Sequence, residues 1–187
     1  GSIDFKVGNS DSDVYVGGIT GKGRTEIENC IVNMNITNTE LVSTTDAPSI
    51  YVGQIVGQLS LSITNCKSEG KIEVENKSSG LAAGGIASIA TVGSKIDNCT
   101  STTKINVKTD VKGGSIGGLV GGLRISGYSS ITVSDCNASG DIEIKSQSPE
   151  NYNVGGLAGY AYGSWQRSSS KPGLTPVIIR DCYATNN

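Results

Sequence analysis

The chain predicts an all-β fold, a right-handed parallel β-helix of about five coils, on three observations. A glycine-centred unit and a cysteine-centred unit each recur five times in 187 residues. After each cysteine, small or apolar residues return at every second position, the mark of a strand with one buried face. Aromatic residues make up 5% of the chain, with one Trp, one Phe and one Met against 26 Gly, so the core has to be built from Ile, Val, Leu and Ala.

The glycine unit comes first in each repeat. It reads Val16-Gly17-Gly18-Ile19, Ala83-Gly84-Gly85-Ile86, Ile116-Gly117-Gly118-Leu119 and Val154-Gly155-Gly156-Leu157, with Val52-Gly53-Gln54-Ile55 as a variant. The first glycines stand 36, 31, 33 and 38 residues apart. Within a unit the two apolar residues are three apart, which a straight strand cannot place on one face, so a bend is expected at the glycine pair. The cysteine unit follows: Ile27-Glu28-Asn29-Cys30, Ile63-Thr64-Asn65-Cys66, Ile96-Asp97-Asn98-Cys99, Val133-Ser134-Asp135-Cys136 and Ile179-Arg180-Asp181-Cys182. The same three-residue step puts a second corner before each cysteine. A third unit completes the coil, as in Cys66, Ser68, Gly70, Ile72, Val74 and Cys136, Ala138, Gly140, Ile142, Ile144. Three short strands per coil are therefore expected.

A coil of this kind cannot bury its apolar edge alone. Stacking copies at about 4.8 Å pairs each strand with its equivalents above and below and leaves a narrow core of aligned side chains. Right-handedness follows from the general preference of parallel connections, and no hexapeptide period argues for the other hand. Residues 1–187 are read as one solenoid domain with repeats starting at Val16, Val52, Ala83, Ile116 and Val154. The chain opens and closes partway through a repeat, which is expected of a segment of a longer protein.

Composition removes several functions. Without His there is no His-ligated zinc site, no Ser-His-Asp triad and no Cys-His dyad. A net charge of −2 offers no basic field for nucleic acid or anionic lipid. No apolar run approaches the ~20 residues a bilayer-spanning helix needs, so no membrane insertion is expected. No cofactor is expected either.

Gly117-Gly118-Leu119-Val120-Gly121 with Asp135-Cys136-Asn137-Ala138-Ser139-Gly140-Asp141-Ile142, and Gly155-Gly156-Leu157-Ala158-Gly159 with Asp181-Cys182-Tyr183-Ala184-Thr185, resemble the GLUG motif repeat. That family occurs in large bacterial surface proteins, including adhesins and the non-catalytic repeat region of immunoglobulin A metallopeptidases. The resemblance implies a secreted or cell-surface module for adhesion or spacing, with a host extracellular protein or glycan, and flanking repeats of the same chain, as partners. Gln54 in place of Gly and Ser88 in place of the last Gly depart from the motif. The competing reading is a polysaccharide-acting β-helix enzyme, a lyase or hydrolase, which needs carboxylates and a cation converging on one groove. Acidic residues here are scattered over different columns, and the chain is read as non-catalytic.

Cys30, Cys66, Cys99, Cys136 and Cys182 share one inward phase and are expected to stack as buried free thiols, because parallel in-register side chains do not meet the torsion of a disulfide. Asn29, Asn65 and Asn98 precede them and should form an amide ladder at the corner. Asp135 and Asp181 continue that column, either capping the turn as Asn does or holding a cation between them, and turn capping is the preferred reading. Asn9, Asp11 and Asp13 alternate as in a calcium loop but lack its Gly and Glu, and are read as a polar turn. The spacing from the second residue of the glycine pair to the cysteine is 12, 12, 14, 18 and 26, so insertions gather at one corner. The longest, Tyr160 to Pro176, carries Tyr160, Tyr162, Trp165, Arg167 and Lys171 as candidate ligand contacts. The preferred alternative is that it shields the end of the solenoid.

Overall fold

The computed structural model describes residues 1–7, 12–41, 49–76, 80–109, 113–146, 152–166 and 173–185. No helix occurs among them, and parallel sheets stack into a β-solenoid of about four turns. Four sheets run along it rather than three, because the glycine pair splits its unit into two strands. The first sheet stacks Val14–Gly17, Ile50–Gly53, Leu81–Gly84, Gly114–Gly117 and Tyr152–Gly155. The second stacks Thr20–Gly23, Val56–Leu59, Ala87–Ala90, Val120–Arg124 and Ala158–Tyr162. The third holds Glu26–Glu28, Ser62–Thr64, Lys95–Asp97, Ile131–Ser134 and Val177–Arg180.

The fourth sheet runs from Ser2–Val7 through Ile31–Leu41 and Lys67–Asn76 to Tyr183–Ala184. Its period-two run is not straight. Gly70 has φ +91°, and in the next two coils the ladder breaks between Ser101 and Lys104 and between Ala138 and Ile142.

Register follows the repeat alignment. Gly17, Gly53, Gly84, Gly117 and Gly155 lie over one another, as do Ile27, Ile63, Ile96, Val133 and Ile179. Hydrogen bonds between coils continue around the corners: Ile55, Ile86 and Leu119 each donate their N–H to the equivalent carbonyl of the following coil at 2.8–3.1 Å.

The first glycine of the pair is required sterically. A Cβ at Gly53, Gly84 or Gly117 would fall on the carbonyl oxygen three residues ahead, that of Val56, Ala87 or Val120, inside the corner's own turn. The second residue of the pair touches the opposite wall, where a Cβ at Gly85 would collide with the Ser101 hydroxyl. The cross-section is therefore waisted. One apolar cluster of Ile55, Leu59, Ile86, Ile96 and Leu119 fills the lobe between the second and third sheets. Another, of Ile36, Ile50, Ile72, Ile105 and Ile116, fills the lobe between the first and fourth.

Small polar residues occupy the waist. Ser68, Ser101 and Thr103 are buried there, with the Thr103 hydroxyl donating to Ser68 Oγ at 3.1 Å. Both departures from the repeat motif find hydrogen bonds. Gln54 is fully buried, its Nε2 donating to the Met34 carbonyl at 2.6 Å and also to that of Glu69, and Ser88 donates to the Ala82 carbonyl at 2.7 Å.

The corner before each cysteine has a backbone signature. Asn29, Asn65, Asn98, Asp135 and Asp181 all adopt φ of 47–54°, the left-handed region in which Asn and Asp are the favoured non-glycine residues. Side chains add the ladder: Asn65 Nδ2 donates to Asn29 Oδ1 at 3.2 Å and Asn98 Nδ2 to Asn65 Oδ1 at 2.8 Å.

Two stability measurements check these constraints. Gly117→Ala forces a Cβ onto backbone that is itself laddered on both sides, and urea unfolding should register a loss of about 3 kcal/mol or failure to fold. At the other corner Asn65→Ala should cost about 1–2 kcal/mol, and Asn65→Gly less, because Gly removes the φ penalty while losing only the amide ladder.

Candidate functional site

The flank formed by the outward columns of the first and second sheets carries a cleft of about 240 Å³. Its origin is an interruption in side-chain size along those columns. In the first sheet the outward column runs Tyr15, Tyr51, Ala82, Ser115, Asn153, and in the second Lys22, Gln58, Ile89, Gly122, Tyr160. Large side chains at both ends, with Ala82, Ser115 and Gly122 between them, leave a trough whose lining also includes Leu81, Ile89 and Gly114.

Aromatic rings bound the trough at both ends. Tyr15 and Tyr51 stack with centroids 4.8 Å apart and planes 12° from parallel, a separation equal to the rung spacing, so the stack runs along the solenoid axis. The free face of Tyr51 is thereby turned toward the next rung, where Ala82 is too short to cover it. At the other end Tyr160 lines the trough, with Tyr162 beside it at 6.1 Å and 9°. Lys22 places its ammonium 4.6 Å from the Tyr15 ring centroid, an attraction to the ring's negative face.

Polar groups complete the lining. Ser49, Asn153 and Arg124 border the trough, with the Arg124 side chain exposed. Asp13 is held in place, its Oδ1 accepting from the Ser49 N–H at 3.3 Å and its Oδ2 from the Tyr15 hydroxyl at 3.2 Å. The Tyr15 phenol is pushed up to about 12, first by burial and then by the charge and hydrogen bond of Asp13, with Arg124 acting in the opposite sense.

The candidate contacts from the sequence divide across the structure. Tyr160 borders the cleft and Tyr162 stands beside it. Trp165 lies on a short strand, Ser164–Gln166, paired antiparallel with Gly173–Thr175 inside the long insertion. Arg167 and Lys171 lie outside the described residues, as do Asn9 and Asp11. Asp135 and Asp181 sit exposed on the cysteine corner, away from the cleft, where their φ values place them as turn residues. Among the described residues no three His, Cys, Asp or Glu side chains gather in a metal-ligating group. Val154 and Ile179, both on inward columns, are 52% and 43% exposed, so the last coil keeps an open apolar edge.

Tyr15, Tyr51, Lys22 and Arg124 were not singled out from sequence. For the two tyrosines the signal was the position two residues before the glycine pair, which reads Tyr, Tyr, Ala, Ser, Asn down the aligned repeats and exposes the change in size.

The cysteines line a different corner. Cys66, Cys99 and Cys136 are buried, Cys30 and Cys182 half-buried because the terminal coils are covered on one side only, and all five are unpaired. The thiols are also more than small apolar fillers. Each donates to the carbonyl two residues back, as in Cys136 Sγ to Ser134 O at 3.0 Å. The Sγ of Cys66, Cys136 and Cys182 accepts the N–H of the preceding cysteine at 3.3–3.4 Å. Burial pushes the Cys66 thiol up to about 11. Contact with the Cys99 thiol, and then burial, raises Cys136 well above the ordinary thiol range.

No protein-family profile, curated protein or solved structure matches this chain.

Alkylation of the native protein near pH 8 should label Cys30 and Cys182 first, with Cys66, Cys99 and Cys136 reacting only on unfolding, because burial shields those three thiols from the reagent. A thiol whose folded value is raised stabilises fully below its unfolded value, near 9.0 for Cys66, and loses that contribution as pH rises through about 11. The margin of the wild type over Cys66→Ala in urea unfolding should narrow across that interval.

Proposed function

We propose that this chain is a non-catalytic binding module of a secreted or cell-surface bacterial protein, a GLUG-type repeat segment. In this reading it holds a host extracellular protein or glycan on its flank while its solenoid spaces the neighbouring parts of the same chain. One observation carries the reading: a trough bounded by tyrosine faces, with a polar lining, on a scaffold whose backbone is laddered on every side. Rings presented at a solvent edge supply large contact area at small entropic cost, and neighbouring hydroxyl and amide groups give direction.

Among the described residues the lining of the cleft contains no carboxylate, and a lining without an acid and base for a glycosidic bond favours retention of a ligand over its cleavage. Asp135 and Asp181 stand on a separate corner, outside the lining of the cleft. The open apolar edge at Val154 and Ile179 supports flanking repeats as the partners along the axis.

A glycan array and a panel of matrix proteins, probed with the 187-residue chain, test this reading. Binding to a glycan or protein that falls about tenfold or more in Tyr51→Ala and Tyr160→Ala, with unchanged melting temperature, is the expected result. Equal binding by both variants removes the cleft from the reading, and shortened glycan products would replace it with the enzyme alternative.

A further inference from the structure

Among the described residues, ion pairs with carboxylates hold most of the lysines but none of Arg24, Arg124 and Arg180. On the faces away from the cleft Lys67, Lys71, Lys95, Lys104, Lys108 and Lys145 each pair with a carboxylate on the same or an adjacent coil. Arg124 borders the cleft, and Lys22 shares the outward column of Tyr160. Among the described residues neither has a carboxylate within ion-pair distance. Asp13, a described acid on this flank, already accepts from Ser49 and Tyr15. A guanidinium left without an anion beside two ring faces is complementary to a planar carboxylate, which its fork can grip with two parallel hydrogen bonds.

We propose that the cleft binds an acidic saccharide chain, its sugar rings laid against Tyr51 and Tyr160 and a uronate carboxylate held by Arg124. The inference rests on the binding-module reading and names its ligand class. A peptide strand fits the same trough poorly. The strands under its middle, Leu81–Gly84, Ala87–Ala90, Gly114–Gly117 and Val120–Arg124, are hydrogen-bonded to the coils above and below, and the edge strands Tyr152–Gly155 and Ala158–Tyr162 lie only at its far end, so a peptide laid along the trough finds no backbone edge to extend. Ile89 fills part of the floor between Gln58 and Gly122, beside Ala82 and Ser115, where a side-chain anchor would otherwise sit. A saccharide needs neither. It offers flat apolar faces to the rings, hydroxyls to Ser49, Ser115 and Asn153, and in a uronate the missing anion. The trough from Tyr51 to Tyr160 spans three rungs, about 14 Å at ~4.8 Å each, so a chain lies along the axis rather than one sugar across it.

The probes are tetramers of galacturonate and mannuronate and a hyaluronan tetramer, each beside its fully methyl-esterified form, titrated calorimetrically into the wild type, Arg124→Gln and Arg124→Lys. At least one acidic tetramer should bind at least tenfold more tightly than its ester. Arg124→Gln should erase that preference without changing the melting temperature, and Arg124→Lys should restore it only in part. Raised salt should weaken the acidic form selectively. Equal binding of acid and ester, unmoved by Arg124→Gln, would overturn the charge selection while leaving the binding reading intact. So would failure of every acidic tetramer alongside Tyr51-dependent binding of a neutral glycan or a matrix protein. Failure of all probes on the array and in calorimetry would remove both.

Discussion

The glycine corner is the constraint on which the rest of the solenoid depends. The chain doubles back so tightly there that a Cβ on the first glycine would occupy the carbonyl oxygen of the same turn, and a Cβ at Gly85 would strike the opposite wall. That close approach creates the waist, and the waist divides the interior into two narrow lobes of Ile, Val and Leu. Interiors so thin have no space for large rings, which is the physical reason the aromatic content is low and most tyrosines lie at the surface.

The second corner solves a different problem by other means. A left-handed residue is needed to turn from the third sheet into the fourth, and Asn or Asp supplies it at a smaller penalty than other side-chain-bearing residues. The cysteine behind it uses its thiol as both donor and acceptor, tying the corner's carbonyl and the neighbouring coil's N–H together. A serine has similar bonding capacity, but a thiol is less costly to bury between Ile and Val. Backbone ladders that continue around both corners make the whole wall one hydrogen-bonded surface.

A wall of that kind is a rigid support for side chains on its outside. The outward columns vary in side-chain size from coil to coil, and that variation shapes the cleft between Tyr51 and Tyr160. The surface ion pairs of the remaining flanks are exposed and contribute little each to stability. They neutralise much of those flanks, whereas Arg124, at the border of the cleft, has no ion-pair partner among the described residues.

Repeat architecture, all-β class, coil register and both corners were legible in the chain itself, because a solenoid repeats one set of local constraints and each leaves the same residues at the same spacing. Asn65 and Gly84 are where they are for reasons that act within one coil and its nearest neighbours. The four-sheet cross-section, the buried bonds of Gln54 and the polar role of the cysteine thiols needed the structure, since they depend on how opposite walls approach. The cleft belongs to the same class. Tyr15, Tyr51, Arg124 and Tyr160 are separated by up to 145 positions in the chain yet share one flank, and only stacking at a fixed rung spacing makes them neighbours.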